Sequence, residues 1–472
     1  MSIPTATLTQ LRDIAGPAGS LEDAQLIEPY LVDHRKLYHG STPLVLRPDS
    51  TERVAAIMRL CYEHGIGVVP VGGNTSYCGG ATPSADGSQV VLSLARMRRI
   101  RSLDPLNYTL TAEAGCTLAE VQSAAASMDR YFPLSLGSEG TCQLGGNLST
   151  NAGGTAVLRY GMARDLCLGL EVVLPDGRVL DELKGLRKNN TGYDLRDLFI
   201  GAEGTLGVIT AAVCKVFPEP KSIVTALVAV PDPQSAVDLL AYLRGQTGDG
   251  LNTFELIPRL ALDLVLRYIP DTVAPLEQRS EWYVLLEAST GRSDPQWNSA
   301  IENMLADAME RGCLTDAAIA QSGVQREQFW RLRETIPEAQ SRLGPSLKHD
   351  ISVTTSQLPS FIREGTQLMH EIIPNVRPVT YGHLGDGNLH FNASLPEHGD
   401  AAEFARQGSE LKRAIHDLVA RYGGSFSAEH GIGQLKRAEL ERYKSPVAVD
   451  LMRAIKHALD PKGIMNPGKV VS

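Results

Sequence analysis

The chain has 472 residues, 43% apolar and 21% charged, with 45 lysines and arginines against 54 acids for a formal charge of −9. That length suits about three folding units, or two large ones, at roughly 150 residues each, and the composition excludes global disorder. The acidic balance without a basic run excludes a nucleic-acid binder, and no apolar stretch approaches the ~18 residues of a membrane span. The opening residues lack the order of a secretory or transit signal. Seven cysteines (Cys61, Cys78, Cys116, Cys142, Cys167, Cys214 and Cys313) are scattered with no CxxC pair. This argues against a disulfide framework or a cysteine-built metal site and fits a reducing cytoplasm, the expected compartment.

In chain order, Asp49-Ser50-Thr51-Glu52 reads as a capping box. Val54, Ile57, Met58 and Cys61 follow at helical spacing, with Gly65 as the stop. A short apolar strand over 67–71 then runs into a glycine-rich loop. Thr117-Leu118-Ala119-Glu120 repeats the capping box before a second amphipathic stretch, and strands are predicted at 90–94, 170–174 and 206–216. This alternation reads as one α/β unit up to about residue 220. Pro218-Glu219-Pro220-Lys221 marks a boundary. Beyond it a strand (223–230), a helix (235–244), a strand (282–287) and a long helix from about Asp294 predict a sheet with helices on one face. From about Ala401 the chain is mostly helical, and Ser445-Pro446 supplies the N-cap and first turn of a closing helix. The expected division is 1–220, 221–400 and 401–472.

Glycine clusters in a few of these loops. Pro70-Val71-Gly72-Gly73-Asn74-Thr75-Ser76-Tyr77-Cys78-Gly79-Gly80 follows a strand, where backbone N–H groups can converge on an anion. It is neither a Walker A loop nor GxGxxG. The stretch 137–154 reads GSEGTCQLGGNLSTNAGG, and 201–207 reads GAEGTLG. Paired glycines admit a flat ring close to the backbone, and asparagine side chains can pair with ring amides and carbonyls.

Together PVGGNTSYCGG, GGNLSTNAGG, LRYG, GLEVVLPDG, TGYDL and LFIGAEGTLGVIT resemble the FAD-binding domain of the vanillyl-alcohol-oxidase-type (PCMH-type) flavoproteins. The likeness runs over about 38–218 and continues into an FAD-linked oxidase C-terminal domain. It implies an α+β fold: a two-part α/β FAD-binding domain, a substrate domain with a mainly antiparallel sheet, and a helical C-terminal segment. It places the pyrophosphate on Gly72, Gly73, Asn74, Thr75 and Ser76, beside Pro70, Gly79 and Gly80. Gly145, Gly146, Asn151, Gly153 and Gly154 would line the ring system, with Gly137, Thr141, Glu203, Gly204, Ile209 and Asn466 completing the cofactor set. Some relatives attach the flavin to a histidine near the first loop, which has none here. Cys142 lies near a cysteine that others use, at a different spacing. Non-covalent FAD is therefore expected.

The segment Tyr381-Gly382-His383-Leu384-Gly385-Asp386-Gly387-Asn388-Leu389-His390-Phe391-Asn392 centres on Asp386-Gly387, a favoured two-residue hairpin turn. That turn pairs His383 with His390 and Tyr381 with Asn392, which puts both imidazoles on one face about 5 Å apart at Cβ. Two such rings can hold one Zn²⁺. In Ser427-Ala428-Glu429-His430-Gly431-Ile432-Gly433, Glu429 offers a third donor beside another histidine. Three protein ligands with an open position is a catalytic arrangement. Asn392, two residues beyond His390 on the same strand face, is placed to orient a substrate.

GHLGDGNLHFN and SAEHGIG resemble the metal and base motifs of the D-2-hydroxyglutarate dehydrogenase type of FAD- and metal-dependent D-2-hydroxyacid dehydrogenases, as does the C-terminal Asn466-Pro467-Gly468-Lys469. The resemblance implies that His383, His390 and Glu429 bind zinc and that His430 is the base. It also implies that Arg333 and Lys348 bind substrate carboxylates. Pro337, one helical turn after Arg333, stands where a hydroxyl residue is expected. The implied reaction is oxidation of a D-2-hydroxy acid, D-2-hydroxyglutarate first, by hydride transfer to flavin N5 with a non-NAD acceptor. D-Lactate, D-malate and glycolate stay open as substrates, and manganese and cobalt as metals. A zinc hydrolase on a vestigial flavin fold and a non-catalytic flavin module are the readings from other classes. The expected electron acceptor is an electron-transfer flavoprotein or another soluble carrier. The oligomeric state is left open, a homodimer included.

Overall fold

Helices start and stop near the sequence signals, but the box expected at Asp49-Ser50-Thr51-Glu52 is a simple Ser50 cap with Arg53 at N3. In the computed structural model, which describes residues 3–471, the Ser50 side chain accepts the Arg53 N–H and opens helix Thr51–His64. Gly65 ends that helix in the left-handed region at φ 65°. Thr117 and Glu120 form the full reciprocal box on helix Leu118–Ala126. The chain divides into two units.

The first unit comprises the chain up to Gly154, Gly161–Glu219, and Glu429 onward. One of its sheets has four strands in the order Ser20–Leu21, Val45–Leu46, Gln89–Ser93, Gly67–Val71, and the last three run parallel. The other has five antiparallel strands in the order Ile100–Asp104, Thr109–Glu113, Val208–Lys215, Cys167–Val173, Val179–Glu182. Helix Thr51–His64 buries Val54, Ile57, Met58 and Cys61, the residues whose spacing predicted it. This is the expected two-part α/β arrangement.

The second unit, Thr155–Tyr160 with Pro220–Ala428, is built on a large antiparallel sheet. Its strand order is Asp316–Ile319, Ser222–Val230, Trp282–Thr290, Leu251–Pro258, Arg377–His383, Asn388–Ser394, Ser346–Leu347, and Asp350–Ser352 also pairs with Asn388–Ser394. Side chains alternate between two cores. Val224, Ala226, Val228 and Val230 face helices Pro233–Thr247, Trp297–Glu310, Leu358–Ile372 and Ala401–Arg421. Leu227, Ala229, Leu285, Val379 and Tyr381 face helices Arg259–Tyr268, Gly323–Glu334 and Ile336–Ser341. Helices therefore cover both faces, not one as expected, because strand 222–230 is buried at every position from Val224 to Val230 and needs cover on each side.

Strand Leu251–Pro258 lies in a stretch with no predicted element. The expected 401–472 segment is shared: 401–428 lies in the second unit and 429–472 in the first. Among the described residues, no helix is long and apolar enough to cross a membrane.

Candidate active site

The glycine loops meet within the first unit. A Cβ on Gly73 would lie 2.1 Å from the Thr141 carbonyl oxygen, and one on Gly204 (φ 69°) 3.1 Å from the Pro70 ring. Asn74, at φ 52°, donates its amide to the Pro29 and Val32 carbonyls, so it holds its own loop in place. Gly145 packs against Ala114 and donates to its carbonyl at 2.8 Å. Asn151 accepts the Arg164 N–H at 2.9 Å, and Ile209 is buried at a bulge in its strand. Asn466 donates from Nδ2 to the Gly80 and Glu203 carbonyls at 2.9 and 2.8 Å.

Two features of this unit fit a bound flavin. Cβ atoms on Gly137, Gly140 and Gly146 would meet nothing within 4 Å. Buried Gln143 Oε1 and Asn466 Oδ1 find no hydrogen-bond partner among the described residues, and such orphans call for one.

Glu203 is engaged within the first unit through its carboxylate. Its carboxylate accepts the Ile432 and Gly433 N–H groups at 2.7 and 2.8 Å. Burial pushes its pKa up, against the pull of those two N–H groups. It thus staples the glycine turn that follows His430. In the same unit Gly154 donates to the Glu429 carboxylate at 3.0 Å, and the Tyr77 ring stands edge-on to His430 at 4.7 Å.

The hairpin of the second unit differs from its predicted register. Leu384–Asp386 forms a 3₁₀ turn closed by Gly387 in the left-handed region. Four residues then separate the strands, and Tyr381, not His383, lies opposite His390, with Val379 opposite Asn392. The slip is two residues, so the side-chain period of two keeps both histidines on one face. Their ring centroids are 5.8 Å apart, and a ring nitrogen of each lies within 4.8 Å of the other.

Two acids that the sequence reading missed surround this pair. Asp350, buried and directly across from His390, brings a carboxylate oxygen within 4.8 Å of a His390 ring nitrogen. Glu255, directly across from His383, has Oε1 2.6 Å from His383 Nδ1 and Oε2 2.8 Å from Arg333. Burial alone would raise the Glu255 pKa, but His383 and Arg333 outweigh it and hold the carboxyl down to about 2. Two facing imidazoles, one of them held by a buried carboxylate and the other with a carboxylate nearby, are a donor set for a divalent metal, so these residues fit one.

Arg333 is buried, and its guanidinium lies 4.8 Å over the Tyr381 ring. Lys348 is exposed, between the strands 346–347 and 350–352. Asn392 is buried with both amide ends engaged: Nδ2 donates to Gln340 at 3.0 Å and Oδ1 accepts the His349 N–H at 3.3 Å. The unit ends at Ala428, whose N–H donates to the Asp350 carbonyl at 3.3 Å.

The family described as "FAD binding domain" matches residues 42–182, and that described as "FAD linked oxidases, C-terminal domain" matches residues 219–470. The fold agrees: p-cresol methylhydroxylase, solved with substrate bound, superposes with a TM-score of 0.77 at 16% identity over 100% of this chain and 98% of that one. Fold and sequence together define an FAD-linked oxidase. The mitochondrial D-2-hydroxyglutarate dehydrogenase of Arabidopsis thaliana is 37% identical over 470 residues, covering 100% of this chain and 82% of the relative. The D-2-hydroxyglutarate dehydrogenase of Stutzerimonas stutzeri (strain A1501) is 36% identical over 467 residues, 98% of each chain. The chain belongs to the D-2-hydroxyglutarate dehydrogenase family of FAD-linked oxidases.

Proposed function

We propose that this enzyme oxidises D-2-hydroxyglutarate to the 2-keto acid, using non-covalently held FAD and one divalent metal ion, zinc in the first instance. The observation that supports the metal half of this reading is the pair His383 and His390 on one sheet face, with the buried Glu255 carboxylate on His383 Nδ1 and an Asp350 carboxylate oxygen within 4.8 Å of His390. When bound, FAD supplies the hydride acceptor and the metal a Lewis acid that makes the C2 hydroxyl more acidic.

His383 and His390 are the imidazole ligands and Glu429 the carboxylate. His430 accepts the C2 hydroxyl proton. Arg333 and Lys348 bind substrate carboxylates, Arg333 with its Nε and Nη2 edge already on Glu255. Asn392 serves the substrate by steadying the backbone beside Lys348, since its amide is bonded at both ends. The thiol of Cys142 is buried against Asn147, which supports a flavin without a cysteinyl link. Electrons leave to a soluble carrier such as an electron-transfer flavoprotein, and the scattered cysteines support a reducing compartment, the cytoplasm in this reading.

The test is anaerobic mixing with D-2-hydroxyglutarate while following the visible flavin absorbance. Bleaching that a chelator abolishes and zinc restores is expected. His430→Ala is expected to lower kcat by roughly 10²–10⁴-fold, the usual worth of a positioned base. Bleaching by D-lactate or D-malate but not D-2-hydroxyglutarate would move the substrate, a second reading favoured by Pro337 in the first turn of helix Ile336–Ser341. No bleaching with any of the three overturns the dehydrogenase.

A further inference from the structure

Glu255 stands between two residues to which the proposed function gives different tasks. Its strand, Leu251–Pro258, is fully buried, and the carboxylate itself is 1% exposed. A buried ionised carboxylate is tolerated only when it is paired and hydrogen-bonded. Here one oxygen serves each partner: Oε1 lies 2.6 Å from His383 Nδ1, and Oε2 accepts from Nε of Arg333 at 2.8 Å with Nη2 in ion-pair contact at the same distance. An ionised carboxylate can only accept, so the proton at that contact belongs to His383 Nδ1. Nε2 is then left as the ring's lone-pair donor.

We propose that Glu255 is a positioning residue that fixes the metal-binding tautomer of His383 and, through its second oxygen, anchors the Arg333 guanidinium, so that metal site and carboxylate clamp share one buried charge. This rests on the metal reading above. Arginine only donates, so in Glu255→Gln the amide oxygen turns to Arg333 and the amide nitrogen faces His383. Nδ1 must then accept, the ring proton moves to Nε2, and the ligating lone pair is blocked.

The experiment is zinc titration of the FAD-loaded protein in competition with a chromophoric chelator. Glu255→Gln is expected to weaken zinc binding about 10–100-fold, with the flavin spectrum retained. Arg333→Gln leaves the carboxylate on His383, so its loss of zinc affinity is expected to be clearly smaller than that of Glu255→Gln, while KM rises. If Glu255 only supported the fold, both variants would lose zinc alike, and that result overturns the proposal. Unchanged zinc affinity in Glu255→Gln also overturns it. A parent protein that binds neither zinc, manganese nor cobalt overturns the metal reading instead. Should Glu255→Gln not fold, Glu255→Asp replaces it: one methylene shorter, its carboxylate cannot span both partners, and the same loss of zinc is expected.

Discussion

Pro337 sits one helical turn beyond Arg333, at the start of helix Ile336–Ser341, where its missing N–H costs nothing because first-turn donors have no intrahelical partner. A threonine there would keep the helix and add a hydroxyl donor. Pro337→Thr is therefore expected to raise kcat/KM for D-2-hydroxyglutarate relative to D-lactate by about tenfold, the worth of one hydrogen bond to a charged group. Steady-state kinetics with both substrates read this ratio, and an unchanged ratio removes position 337 from recognition. Single residues were legible in the sequence only where their neighbours announced a role. His383 and His390 flank a turn signal, and Glu429 and His430 lie among glycines. Glu255 carries no such mark: an acid amid the apolar run Phe254, Leu256, Ile257 implies a buried partner but cannot name one 78 or 128 residues away. Asp350 is hidden for the same reason, its partner His390 being set by strand pairing.

The hairpin Arg377–His383/Asn388–Ser394 shows what an element tolerates. Asp-Gly predicted a two-residue turn, and the strands joined through four residues, yet the histidines kept their face because a slip of two leaves side-chain parity intact. A slip of one would have sent His383 and His390 to opposite sides of the sheet. Gly387 holds the register. Its φ is 86°, and a Cβ there would lie 2.1 Å from the Val353 carbonyl oxygen. Gly387→Ala is expected to cost at least about 1 kcal/mol from the backbone conformation alone, and more from the clash. A lowered melting temperature with weakened zinc binding checks this, and an unchanged melting temperature contradicts it. Strand Leu251–Pro258 was not legible, being short, buried at every position and without alternation. The capped helices were legible because caps act within four residues.

Across the whole molecule, chain order and spatial membership part company. Thr155–Tyr160 belongs to the second unit, where Arg159 donates to Asn252 and Ser289, and the chain from Glu429 belongs to the first, where Met465 bridges to Val68 and Asn466 ties to Gly80 and Glu203. Local periodicity reports helices and strands but not which distant strand a segment joins. The same holds for the ion pairs of the first unit. Arg101 bonds Glu113 and Glu171 at 3.2 and 3.0 Å, and Glu171 also accepts from Thr51 and Thr210. This ties helix Thr51–His64 to the five-stranded sheet. Burial pushes the Glu171 pKa up, but Arg101, Thr51 and Thr210 outweigh it and leave the carboxyl below its ordinary 4.5. A carboxyl lowered in the folded state adds stability above about pH 4.5 that is lost as pH falls through the folded value. Arg101→Met removes the pairing: Glu113 keeps Arg99 at 2.8 Å, whereas Glu171 loses its cation and keeps only the Thr51 and Thr210 hydroxyls. The expected cost is about 2–4 kcal/mol at pH 7, less than for a fully buried pair because Arg101 is a quarter exposed. With Arg101 gone, burial of Glu171 is opposed only by the two threonine hydroxyls, and the first unit should open at a higher pH. Two signals separate the units: flavin fluorescence rises on release from the first, whereas all three tryptophans, Trp282, Trp297 and Trp330, lie in the second. In an acid titration, Arg101→Met should shift flavin release upward in pH and move the tryptophan transition less. Equal shifts of both signals would mean that Arg101 stabilises the chain as one cooperative body, and no shift would mean that its pairs contribute nothing.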